Sequence, residues 1–363
     1  MIDFSQMKTV EIDPAQRIAL AQPGANLGDF DVATQSCGLA TTMGTFAPTG
    51  IAGLTLGGGW GWLLGKYGFS CDNLISADVV TADGRLVTAS ERESTDLLWG
   101  LRGGAGNFGV VTSFTYRLHP VKRVLGGIIK YEPAQLREML RFFRDYAPSA
   151  PDELTMMAGI LPLAEPAVGV AVCYCGDFTK GEESLKPLRQ FLKPTADTIR
   201  PMTYLELQNM LDLPTGTVMN LGNYSKNLFM TELTETAIDT IVGNVGLAPS
   251  PFCAFWLNQV HGVASRIGLT DTAVSLRHPG YEFEMWSIWE NPADADASIA
   301  WVRGLWDSLQ PFTDGRVYVN HLLEEGERVK AAYGDNYERL VALKNKYDPT
   351  NFFRLNQNIK PTV

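Results

Sequence analysis

Apolar and polar positions alternate in two different ways along the chain, and the change falls near residue 120. Residues 9–22 (TVEIDPAQRIALAQ) predict two short strands around an Asp13–Pro14 turn. Residues 75–89 (ISADVVTADGRLVTA) predict a hairpin, because Asp83–Gly84 separates two β-branched runs. Residues 93–120 read as a short helix capped by Ser94 or Thr95, a glycine loop, and a strand ending at Pro120. Beyond that point Leu136, Met139, Leu140, Phe143 and Tyr146 recur at helical spacing with charges between them, which predicts a helix over 133–147. Strands are expected at 154–161, 167–178, 252–262 and 280–290, and helices at 183–192, 297–310 and 335–347. Strict alternation along 281–289 puts Glu282, Glu284, Trp286 and Ile288 on one strand face. Tyr281, Phe283, Met285, Ser287 and Trp289 take the other. Most strands of this kind pack a core, but a glutamate beside a tryptophan also suits a pocket wall. Strands and helices without βαβ alternation predict an α+β fold.

One stretch fits neither period. GIAGLTLGGGWGWLLGKYG (50–68) holds eight glycines, more than a single turn requires. Glycine is costly to order and is placed where the backbone needs φ > 0 or a close approach. No Gly-Lys-Ser/Thr follows, so this is not a phosphate-binding Walker loop. A second run, Gly104 to Gly109, matches G-x-G-x-x-G, but a helix precedes it and a strand follows. The dinucleotide fingerprint needs the reverse order and an acidic residue about 20 positions on. A tight helix-to-strand turn and a backbone that approaches a ligand remain as its two readings.

Composition narrows the classes. The 363 residues are 45% apolar and 19% charged, which suits a large core rather than disorder. A net charge of −10 and a pI near 5.0 argue against nucleic acid or an anionic membrane as partner. No run approaches the roughly 18 apolar residues of a membrane span. The N-terminus is polar, without a signal-peptide core, so a cytoplasmic location is expected. Five cysteines, an odd number, fit a reducing compartment. The four histidines show no metal-ligand spacing, and no metal site is expected.

The segments 48–84 (PTGIAGLTLGGGWGWLLGKYGFSCDNLISADVVTADG), 97–121 (LLWGLRGGAGNFGVVTSFTYRLHPV) and 316–361 (RVYVNHLLEEGERVKAAYGDNYERLVALKNKYDPTNFFRLNQNIKP) go further. Together they resemble the berberine-bridge-enzyme-like flavin oxidases, whose FAD domain is of the vanillyl-alcohol-oxidase type. The resemblance implies an FAD-binding part (1–120), a substrate part with a helix-covered antiparallel sheet (121–315), and a segment returning to the FAD part (316–363). It implies FAD contacts from Thr49, Gly50, Gly53, Leu56, Gly57, Gly58 and Gly61, where backbone N–H groups suit anionic oxygens. Gly68 and Asn73 of the 67–73 turn, Gly109 and Val111, and Asn356 and Asn358 would complete that set. Tyr318 and Asn320 would face the substrate with Glu284 and Trp286. Tyr318 is the candidate base, provided a donor or a positive charge lowers its pKa. His321, three residues on along a strand, is expected on the opposite face.

Two departures from the family accompany the resemblance. Members normally begin with a further βαβ-scale segment carrying a pyrophosphate loop and a histidine that attaches the flavin, and this sequence starts just after it. Phe46 stands where doubly linked members have a cysteine. Neither covalent link is expected from this chain. A longer parent protein, a second polypeptide and loss of the flavin are three explanations. The expected function is oxidation of a small, bulky or aromatic alcohol, amine or phenol with O2 as acceptor. The alternative is a flavin-free cyclase, isomerase or binding protein.

Overall fold

The Asp13 carboxylate accepts the backbone N–H groups of Ala15 and Gln16, 2.9 Å each. That pins the turn folding β1 (Val10–Asp13) onto β2 (Ile18–Ala21). The computed structural model describes residues 2–161, 167–211, 221–250, 252–322 and 327–363. Helix α1 (Leu27–Gln35) starts with a capping box in which Asn26 and Asp29 satisfy each other's backbone N–H groups. The short β3 (Leu39–Ala40) follows. The glycine-rich stretch is not one loop: it forms α2 (Ile51–Leu56) and α3 (Leu64–Tyr67). β4 (Leu74–Val80) and β5 (Leu86–Ser90) make the expected hairpin, with Gly84 in its turn at φ +80°. Ser94 takes the cap position of α4 (Thr95–Leu101) at φ +46° but makes no side-chain cap bond. β6 (Val110–Arg117) joins an antiparallel sheet ordered β1-β2-β6-β4-β5, and β7 (His119–Pro120) pairs with β3.

A larger antiparallel sheet begins at β8 (Arg123–Lys130). It adds β9 (Leu154–Leu161), β10 (Ala167–Tyr174), β11 (Ala196–Asp197), β12 (Arg200–Thr203), β13 (Gly222–Met230), β14 (Cys253–Val260) and β15 (Gly280–Trp289). The order is β11-β8-β10-β9-β14-β15-β13, with β12 also on β8. Period-two alternation is visible on β15: Tyr281, Phe283 and Met285 enter a core roofed by α5 (Leu136–Tyr146), α6 (Phe178–Gln190), α8 (Glu235–Val245) and α10 (Ala295–Leu309). On α5 the helical spacing buries Leu136, Met139, Leu140 and Phe143. Each such side chain contributes roughly 1.5–3 kcal/mol. The opposite face of the sheet packs on Trp62, Leu63 and α7 (Tyr204–Gln208), and near α9 (Val263–Arg266) on Trp60 and Leu64.

The C-terminal segment crosses back to the first sheet. Side chains of α11 (Glu327–Tyr333) and α12 (Tyr337–Tyr347), together with Ile359, share one core with Leu97, Phe108 and Val111. Its lock is a buried ion pair. Lys344 Nζ donates to Asp348 at 2.7 Å and to the carbonyls of Asn107 and Phe353 at 2.9 and 2.8 Å. All three ammonium protons are used, so a fully buried cation keeps its partners.

Candidate active site

Three parts of the chain line a cavity of about 690 Å³, within the range of small-molecule sites. The first part of the chain supplies Gly44, Thr45, Phe46, Thr49, Gly53 and Trp60. The cavity face of the large sheet supplies Trp256, Glu284, Trp286 and Ile288. The C-terminal segment supplies Tyr318, Asn320, His321, Asn356 and Gln357.

Tyr318 is held from two sides. Its oxygen accepts the backbone N–H of Gly59 at 2.8 Å and Nδ2 of Asn320 at 3.0 Å. Asn320 also donates to the Leu54 carbonyl near the end of α2, at 2.9 Å. Two donors therefore occupy the phenolic oxygen, which leaves its own proton to donate. Those are the donors that the reading of Tyr318 as a base asked for, and they are outweighed. Burial holds the phenol well above its ordinary pKa, and the two hydrogen bonds only partly oppose it.

His321 corrects a sequence expectation. Residues Val319–His321 form a 3₁₀ turn capped by Tyr318, not a strand. Positions three apart eclipse in that turn, so His321 and Tyr318 face the same cavity, with ring centroids 4.8 Å apart. His321 Nδ1 donates to Glu282 at 2.7 Å and lies 3.9 Å from Glu284. Burial alone would push its pKa down, but Glu284 and Glu282 outweigh it and raise it to about 9. Glu284 is pushed up by burial against the opposing pull of His321, and it accepts Trp256 Nε1 at 2.8 Å. Trp256 is the cross-strand partner of Glu284, and its ring lies 4.4 Å from that of Trp286. The pairing of 252–262 with 280–290 was the missing signal: once those strands are antiparallel neighbours, Trp256 falls beside Glu284.

The predicted cofactor residues divide in two. Thr49, Gly53 and Asn356 line the cavity. A Cβ at Gly50 or Gly53 would meet nothing within 4 Å, and at Gly106 only Asn356 Nδ2 at 3.8 Å. The others are small because protein comes close. A Cβ at Gly57 would meet Asn320 at 1.9 Å, and at Gly61 the Met43 carbonyl at 1.6 Å. Gly58 abuts Tyr318, Gly68 is crowded by Asp72, and Gly109 by Val79. Leu56 and Val111 sit in the first core. Asn73 is spent on the carbonyls of Tyr67 and Phe69 and on His119, whose ring stacks on Tyr67.

The residues present fit a flavin. Asn356 and Asn358 each bury a side-chain oxygen that has no hydrogen-bond partner among the described residues, while Asn356 Nδ2 donates to the Gly106 carbonyl at 2.9 Å. Buried acceptors of this kind need a donor, and the pyrimidine edge of a flavin carries one between two carbonyls. The open positions at Gly53 and Gly106 border the same space.

Comparison with known proteins agrees with this geometry. A family model described as an FAD binding domain matches residues 1–90, and one described as berberine and berberine like matches 317–360. An FAD-linked oxidoreductase of Dictyostelium discoideum is 32% identical over 99% of this chain and 79% of its own length. A chitooligosaccharide oxidase of Gibberella zeae is 28% identical over 99% of this chain and 78% of its own. The crystal structure of 6-hydroxy-D-nicotine oxidase from Arthrobacter nicotinovorans superposes with a TM-score of 0.86 at 26% identity, covering 98% of this chain and 81% of that one.

Proposed function

The chain belongs to the berberine-bridge-enzyme-like FAD-linked oxidoreductases, and from that premise we propose that it oxidises a small, bulky or aromatic alcohol, amine or phenol and passes the electrons to O2. FAD is its cofactor and it is an FAD-dependent oxidoreductase, so the flavin-free cyclase, isomerase or binding protein falls away. Bound FAD supplies the hydride acceptor. Thr49, Gly53, Gly106, Asn356 and Asn358 would hold it. The two sheets and the core shared by 1–120 and 316–363 support the division into an FAD part, a substrate part (121–315) and a returning segment.

The observation that carries the reading is the meeting of Glu284, His321 and Tyr318 in one cavity walled by Trp256 and Trp286. Glu284 takes the proton from the substrate O–H or N–H. Its pKa, raised by burial, brings the carboxyl nearer the working pH, where a general base is most effective. His321 and Tyr318 donate hydrogen bonds that orient the reacting heteroatom. The tryptophans hold an apolar or aromatic body by stacking.

The test is turnover of FAD-loaded protein on a panel of aromatic alcohols, amines and phenols, read as peroxide. Glu284→Gln is expected to lower kcat by about 10²–10⁴-fold at unchanged FAD content. Wild-type turnover in that variant removes Glu284 from the reaction. Turnover with a dye acceptor but no peroxide removes O2.

A further inference from the structure

Glu282 stands behind the cavity rather than in it. The side chain is fully buried on the cavity-facing side of β15, two residues from Glu284, yet it does not line the open space. A buried carboxylate is costly unless it is paired and hydrogen-bonded. Here three donors from three directions meet it. Asn258 Nδ2, from the cross-strand partner on β14, donates to one oxygen at 3.2 Å. Asn227 Nδ2, from β13, donates to the other at 3.3 Å. His321 Nδ1 donates to that second oxygen at 2.7 Å. The two amides fix the carboxylate, and the carboxylate fixes the imidazole.

We propose that Glu282 is a positioning residue: by gripping Nδ1–H of His321 it sets the ring's orientation, helps Glu284 to hold its charge, and leaves Nε2–H as the donor offered to the substrate. The proposal rests on the reading of this cavity as the reaction site. It separates the work of two carboxylates on one strand face. Glu282 is held by its donors and stays where it is. Glu284 has one oxygen on Trp256, and among the described residues no hydrogen bond holds the other, which can exchange a proton. Among the described residues, the ionisable groups around the imidazole are Glu282 and Glu284 from β15 and Tyr318 from its own segment. The two carboxylates more than offset the burial that would otherwise discharge the ring.

A core carboxylate that only packs would leave the histidine's titration alone, and this separates the two roles. The experiment follows the four histidines by nitrogen-15 NMR in the FAD-loaded protein, with His321 identified by its loss in His321→Gln. In the unmodified protein His321 is expected to remain protonated through neutral pH. In Glu282→Gln, which keeps the shape and loses the charge, its midpoint is expected to fall by about one unit or more. The basic limb of the kcat profile should move with it, at unchanged FAD content. A midpoint at or below the ordinary histidine value in the unmodified protein overturns the proposal, whether or not the variant folds. A folded Glu282→Gln with unchanged titration and unchanged pH profile overturns it too. Glu284→Gln distinguishes the two levels. Loss of turnover there, with none in Glu282→Gln, removes the positioning role and keeps the reaction site. Full turnover in both removes the site itself.

Discussion

Tyr318 shows how much one hydroxyl carries. Tyr318→Phe leaves the buried N–H of Gly59 without its acceptor, and an unpaired buried donor costs about 1–3 kcal/mol. Urea unfolding should report that loss, and turnover should fall beyond it because the orienting donor is gone. An unchanged midpoint would mean that water replaces the phenol. His321 gives a pH prediction with a definite sign. Its folded pKa, about 9, lies above the ordinary 6.5. Its interactions with Glu284 and Glu282 therefore contribute their full stability below about 6.5 and lose it as pH rises through about 9. The melting temperature of the wild type, minus that of His321→Gln, should shrink across that window. A difference that grows with pH would contradict the ion pair.

Among the elements, periodic segments were legible and the glycine-rich ones were not. The expected strand 154–161 matches β9 residue for residue, a short, nearly continuous apolar run buried on both faces. The hairpin at Asp83–Gly84 was equally clear from its turn. Residues 50–68 hid two helices, since glycine spacing carries no hydrophobic period and the helical stability comes from packing. α1, α8 and β13 were missed for a related reason: their apolar positions are few or interrupted by polar residues. At the site, Glu284, Trp286, Tyr318 and Asn320 could be named from one strand and one motif. Trp256, Glu282 and His321 needed strand pairing or the 3₁₀ turn, neither of which a linear pattern contains. The glycines now make opposite predictions. Gly53→Ala faces open space inside α2. It should stabilise the apo fold by roughly 0.5–1 kcal/mol and weaken FAD binding in a fluorescence titration. Gly61→Ala meets the Met43 backbone and should unfold early with or without FAD. Equal behaviour of the two variants would refute the division of the stretch.

At the scale of the molecule, the site is complete only when the C-terminal segment is docked. Lys344→Met keeps the bulk but removes the cation from the buried Asp348 carboxylate, leaving it the backbone N–H groups of Phe352 and Phe353. Breaking such a pair costs about 3–5 kcal/mol, and denaturant unfolding should show it together with weaker FAD binding. Loss of stability alone, with FAD affinity intact, would separate the lock from the site. Phe46 lines the cavity and offers no nucleophile. Acid precipitation of FAD-loaded protein should therefore leave the flavin in the supernatant; yellow pellets would reveal an attachment through a group not named above.

The alternation along β15 has a consequence for how this protein can change. Tyr281, Phe283 and Met285 are bound to the helical roof, while positions 284, 286 and 288 border the cavity. A strand that keeps its two obligations on opposite sides lets one be rewritten without the other. Libraries confined to the three cavity positions should yield folded proteins with new substrate preferences. Libraries at the three roof positions should mostly yield aggregates. The same architecture could pass from one chemistry to another through single changes in a few side chains.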